Sequence, residues 1–229
     1  MWPIIKKEVK SYFLSPIGYI FIGLFLAICS VFFYMYVVTY ASLNFEYIFY
    51  SAASLLMFIT PILTMRMFAE ERKNGTEQLL LTSPRSVTSI VLGKFISAVI
   101  ILLITVLLTF LYFIILMFFG KPDITTALVS MLGFVLIGMA YIAFGMFASS
   151  ITENQIIAAV ITIGFFILID ILPGMASQSS ILSILSLSNM FNKFPSGLIP
   201  LDSVIAYGSF TLLFILLTII VLQRKKSVK

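Results

Sequence analysis

The stretch Ile90–Phe119 reads IVLGKFISAVIILLITVLLTFLYFIILMFF, and no charge follows Lys94 within it. A membrane-spanning helix needs about 20 predominantly apolar residues. The run is continuous, whereas a lipid-facing barrel strand alternates over a much shorter length. It therefore predicts a transmembrane helix.

Five further runs of the same kind flank it: Ile17–Val38, Ile48–Phe68, Leu128–Ala148, Ile156–Leu172 and Ser203–Leu222. The pattern predicts an all-α integral membrane protein with six transmembrane helices and a single transmembrane domain over 1–229. Composition agrees. Of 229 residues, 61% are hydrophobic and 10% charged, and mean hydropathy is +1.16. A soluble domain carries about 25% charged residues, so a chain this poor in charge cannot clothe itself for water. Cys29 lies alone in an apolar run and reads as a buried structural thiol. There is no histidine, the commonest metal ligand and general base. The lysines at 6, 7 and 10 interrupt the first apolar residues, which reads against a cleavable leader.

An even number of spans puts both termini on one side. That side collects Lys6, Lys7, Lys10, Arg66, Arg72, Lys73, Arg85, Lys94, Arg224, Lys225, Lys226 and Lys229, against only Lys121 and Lys193 on the other. By the positive-inside rule the basic side is cytoplasmic. The net charge of +5 is thereby assigned to topology rather than to nucleic acid, which is not expected as a partner. The expected location is the cytoplasmic membrane of a bacterium or archaeon.

Trp2, Ile5, Val9, Tyr12 and Phe13 fall on one helical stripe with Lys7, Lys10 and Ser11 opposite, which predicts an interfacial amphipathic helix over 1–15 in contact with lipid. Ser15-Pro16 ends it. The segment Arg66 to Lys94 carries the most information. The second span is expected to continue through Glu70, Glu71, Arg72 and Lys73, and Gly75 to stop it, since glycine tolerates positive φ. Thr76 is then placed to cap a short new helix with Glu77 in its first turn. Leu79, Leu80 and Leu81 are consecutive and cannot all face one side of a helix, so they present either a docking surface or a membrane-resting one.

The string AEERKNGTEQLLLTSPRS from Ala69, followed by Ile90-Val91-Leu92-Gly93-Lys94, resembles the permeases of ABC type-2 exporters, nearest the gliding-motility and nitrous-oxide-reductase-maturation branch. The layout of the whole chain resembles that family too. The resemblance implies that 69–89 holds a cytoplasmic coupling helix seated in a separate ATPase. Glu70, Glu71, Gly75, Thr76, Glu77, Leu79, Leu80 and Leu81 would be its contact elements. It also implies a smaller coupling contact at Ser149–Gln155, with Glu153 and Asn154 as polar participants; an ordinary tight turn fits the same residues. The implied partners are ABC ATPase subunits, a second permease copy or homologue, and lipid.

Three features remain. The segment 173–202, punctuated by Pro173-Gly174, Pro195 and Pro200, fits either re-entrant short helices at the outer side or a membrane-resting loop. Gly138, Tyr141, Gly145 and Ser149 share a face of the fourth span and read as packing, and Pro61 should kink the second. Asp170 lies just before Leu172-Pro173, at the outer interface. No Gly-x-x-x-x-Gly-Lys-Ser/Thr motif occurs, so no P-loop can be built, and ATP and Mg are expected on the partner rather than as cofactors of this chain. The leading expectation is a non-enzymatic exporter permease. The alternatives are a transmission subunit that passes ATPase work to an outer partner, and a stand-alone channel, for which a charged pore signature is missing.

Overall fold

The computed structural model describes residues 1–78, 85–175 and 186–227. Leu79, Leu80 and Leu81, and residues 176–185 of the outer segment, lie outside the described residues. Among the described residues there is no strand. The elements are α1 (Trp2–Leu14), α2 (Pro16–Phe33, continued by a π-helical turn Tyr34–Thr39), α3 (Glu46–Thr64), α4 (Ala69–Lys73), α5 (Val87–Met117), α6 (Ile124–Ile151), α7 (Gln155–Met175), α8 (Leu187–Phe191), a 3-10 turn Phe194–Ser196 and α9 (Leu201–Ser227).

Five helical segments are long and apolar enough to cross a membrane: Pro16–Thr39, Glu46–Lys73, Val87–Met117, Ile124–Ile151 and Leu201–Lys226. The protein is thus an all-α membrane protein. The sixth expected crossing falls on α7, whose apolar part Gln155–Ile171 is shorter.

Helix α6 is the hub, with 67% of its apolar window buried, and it packs most extensively against α9 and α3. Lipid removes the usual hydrophobic drive between helices, so close backbone approach and shape fit hold such a bundle. The glycines of α6 supply that approach. A Cβ on Gly133 would lie 2.5 Å from the Phe194 ring, and one on Gly145 would lie 2.8 Å from Thr64 Cβ. The Phe134 ring sits 5.2 Å from both Phe25 and Phe49, joining α6 to α2 and α3. The expected packing role of the Gly138, Tyr141, Gly145 and Ser149 face is borne out, with a refinement. Gly138 meets Leu102 of α5, Gly145 meets α3, and Tyr141 lies against Phe166 of α7.

Two local expectations change. Pro61 sits inside α3, and the helix ends three residues later, so the second span is broken and restarted rather than merely kinked. The expected stripe of α1 is divided. Ile5 and Tyr12 are buried against the bundle, where the Tyr12 hydroxyl donates to the Leu63 carbonyl at 3.1 Å, while Trp2 is 72% exposed. Protein rather than lipid covers the centre of that stripe.

At the other end of the bundle, α8 and the 3-10 turn fold back, burying Leu187, Phe191 and Phe194 against α3, α6 and α9. Asp170 holds this return. Its carboxylate accepts from the Ser186 hydroxyl at 2.9 Å and the Ser188 hydroxyl at 2.6 Å, and the Tyr207 hydroxyl donates to the Leu187 carbonyl at 2.6 Å.

Candidate functional site

The polar residues singled out in the sequence converge at the basic end of the bundle, around the break between α3 and α4. A broken helix leaves carbonyls without partners at its end and N–H groups without partners at its restart. Ser149, at the end of α6, serves both. Its hydroxyl accepts from the Phe68 and Ala69 N–H groups, each at 3.1 Å, and donates to the Met65 carbonyl at 3.0 Å. Ser149 itself is fully buried. One side chain thereby fixes the angle between α3 and α4.

Helix α4 ends at Lys73, with Asn74 at the C-cap and Gly75 at φ 73°. The left-handed conformation expected of Gly75 is present. The Thr76 hydroxyl donates to the Glu71 carbonyl at 3.1 Å and so closes the end of α4. Glu77 and Gln78 resume helical conformation.

Arg72 ties this loop to the rest of the basic end. Its Nε and Nη2 donate to the two carboxylate oxygens of Glu77, both at 3.1 Å. Its Nη1 donates to the Ile151 carbonyl at 3.0 Å and its Nη2 to the Ser150 carbonyl at 2.6 Å. Those are end-of-helix carbonyls of α6, which carry partial negative charge and favour a cation there. The planar guanidinium can serve a carboxylate edge and two carbonyls together; an ammonium cannot. Lys225 of α9 joins from a third direction, donating to the Ser150 carbonyl at 2.8 Å and standing 3.8 Å from Glu77 Oε1.

A second cluster lies beside it. Lys94, with 3% of its side chain exposed, donates to Glu71 Oε1 at 2.9 Å and to Glu8 Oε1 at 3.2 Å. The Phe68 ring centroid is 5.4 Å from its ammonium. A buried ammonium is tolerable only with such compensation. This cluster pins α1 and α4 to α5. Glu70 takes a bidentate pair from Arg66 one turn earlier.

Of the residues expected to contact an ATPase, Glu71 and Glu77 thus direct their carboxylates into the chain itself. Glu70 is partly exposed and Glu153 is exposed. Asn154 caps α7, its Oδ1 accepting from the Ile156 N–H at 2.9 Å while its own N–H donates to Thr152 at 3.1 Å. The tight turn weighed for Ser149–Gln155 is therefore built, and it leaves Glu153 outward. Sequence reasoning did not find Ser149, Arg72 or Lys225 as joints. The signals were a serine pair ending an apolar run, and an arginine five residues before a glutamate across a glycine.

A multi-pass helical bundle whose loop, turn and last helix are tied together at one basic end defines a helical membrane protein. The family described as ABC-2 family transporter protein matches residues 4–223, and the chain belongs to it. It is a membrane permease subunit of an ABC transporter, a class that associates with ABC ATPase subunits. Among curated proteins, no relative matches the sequence.

Proposed function

We propose that the chain is the permease of an ATP-driven exporter, embedded in the cytoplasmic membrane with both termini inside, and that it couples a separate ATPase to substrate movement. The observation that carries this reading is the Arg72 joint. It gathers the loop after α3, the turn between α6 and α7, and the end of α9 into one unit at the basic end. A push delivered to that unit reaches three helices at once.

In this reading α7 is the sixth crossing. Its 21 residues extend about 30 Å at the usual rise, which matches a typical hydrocarbon core. Six helices enclose little space, so two copies, or one copy and a homologue, form the pathway. Leu79, Leu80 and Leu81, with Glu70 and Glu153, meet the ATPase; Glu71, Gly75, Thr76, Glu77 and Asn154 shape the surface that carries them. ATP and Mg stay on the partner. Nucleotide acts by favouring one arrangement of the two permease halves over another.

The test is co-purification with the candidate ATPase after changing Leu79, Leu80 and Leu81 together to Asp. Assembly and permease-stimulated ATP hydrolysis should both be lost. Unchanged assembly and hydrolysis would refute the docking role. Flux in reconstituted vesicles then separates a translocating permease from a subunit that only transmits force.

A further inference from the structure

Helix α1 has its side-chain charges sorted by sign. Its one acid, Glu8, is turned inward and accepts from Lys94 at 3.2 Å. Its three lysines, Lys6, Lys7 and Lys10, are exposed. Among the described residues, none of the three stands in an ion pair. The outward side of α1 is therefore basic and uncompensated.

The 3.6-residue turn orders these positions around the helix axis. Ile5 and Tyr12 mark the side packed on the bundle. Turning away from them in one direction, Val9, Trp2 and Phe13 form an apolar edge, Lys6 and Lys10 follow, and Lys7 lies beyond. Phe13 meets Tyr19 of α2 edge-on, with ring centroids 5.7 Å apart. Tyr19 is exposed near the start of a span, as are Ile20 and Leu24, so the apolar edge of α1 continues the lipid-facing surface of α2. Exposed Trp2 belongs to the same edge, and an indole favours the boundary between hydrocarbon and headgroups. Lys6 and Lys10 border that edge one turn apart, their Cβ atoms separated by about 6 Å. Their long stems can lie along the edge and place both ammonium groups at the level of the lipid phosphates.

Two ammonium groups at phosphate depth, with no carboxylate of the chain beside them, draw their counter-charge from the membrane. We propose that this edge of α1 is a binding surface for anionic phospholipid. The headgroup phosphate lies between Lys6 and Lys10, and an acyl chain runs along Trp2 and Phe13. A zwitterionic headgroup carries its own cation and offsets less of the lysine charge. An acidic protein segment would match the lysines but not the apolar edge that α1 shares with α2. Burial of Ile5 and Tyr12, with the Tyr12 bond to the Leu63 carbonyl, holds α1 in place, so the surface is formed before lipid arrives and little ordering cost opposes binding. This binding requires the membrane setting of the chain and is independent of any ATPase.

Trp2 is the chain's only tryptophan and serves as the reporter. The full chain is reconstituted without ATPase in vesicles of phosphatidylcholine with a minor fraction of phosphatidylglycerol. One lipid or the other is brominated near the headgroup end of its acyl chains, where bromine quenches a neighbouring indole. Brominated phosphatidylglycerol should quench Trp2 as though enriched about fivefold over its bulk fraction at low salt, the effect of one basic residue held at an anionic surface. Molar salt, which screens charge within about 3 Å, should return the enrichment toward bulk. Lys6→Gln combined with Lys10→Gln, both surface changes that spare the fold, should do the same at low salt. Lys121→Gln, at an exposed position just before α6 at the other end of the bundle, should leave the enrichment unchanged. Quenching in proportion to the bulk mixture by the unaltered chain, or an enrichment that survives the paired change or molar salt, would overturn the proposal. Quenching by neither brominated lipid would also overturn it, and would assign the lysines to a soluble acidic partner.

Discussion

Replacing Ser149 with alanine removes one hydroxyl and strands three backbone groups: the Phe68 and Ala69 N–H groups and the Met65 carbonyl. Phe68 and Ala69 are at most 1% exposed, so water cannot substitute without opening the joint. An unsatisfied buried group costs about 1–3 kcal/mol, and relaxation of Met65, which is only half-buried, recovers part; the expected loss is about 2–4 kcal/mol. For a chain of this size that corresponds to a drop of roughly 5–12 °C in Tm. Ser150→Ala is the matched control. Ser150 is equally buried, but its hydroxyl only donates back to the Phe147 carbonyl of its own helix, at 2.7 Å, so its loss should cost under about 1 kcal/mol. The assay is thermal unfolding of both variants in the same detergent, with amide exchange read at Phe68 and Ala69. Exchange there should rise at least about tenfold in Ser149→Ala and stay unchanged in Ser150→Ala, since each 1.4 kcal/mol is a factor of ten in opening. Equal Tm for the two variants, with Phe68 and Ala69 still protected, would refute the reasoning.

Arg72→Leu should destabilise by about 2–3 kcal/mol, less than a fully buried pair because its side chain and that of Glu77 are 10% and 11% exposed; a double-mutant cycle with Glu77→Gln should give a coupling of about 1–2 kcal/mol, and a coupling near zero would contradict the joint. Gly145→Ala forces a methyl into Thr64 and should cost about 1–3 kcal/mol, with Thr64→Ala in the same chain restoring most of it; thermal unfolding of the single and double variants decides. Burial, with a smaller push from Glu8, holds the Tyr12 phenol above its ordinary value of 10.0. The folded state therefore keeps this proton longer than the unfolded chain does. The associated stability is fully present below pH 10 and falls as pH rises beyond it. Tyr12→Phe should flatten that alkaline decline in a Tm-versus-pH series; an unaltered slope would count against it.

Hydropathy made the spans legible because burial in lipid is decided residue by residue along a run, and Ile90–Phe119 declares itself without reference to anything else in the chain. Gly75 was legible for a similar reason: a glycine closing a charged helix is a local signal of positive φ. The interior wiring was not. Arg72 and Ile151 lie 79 residues apart, and nothing in either neighbourhood announces the other. Glu71 and Glu77 look outward on composition alone, since charge near a loop usually faces water. Their inward turn follows from where Lys94, Lys225 and the end of α6 come to stand, which is a property of the bundle. The break after Pro61 was half visible: proline marks trouble in a helix, but only Ser149 on a different helix makes a full interruption tolerable.

Lys225 is the last of the basic-end partners to leave the ribosome. Everything it grips, at Ser150 and Glu77, has been made and waiting for many residues of synthesis. During biogenesis the basic end of the nascent subunit is therefore an unfinished assembly, and the arrival of the final helix is the event that closes it.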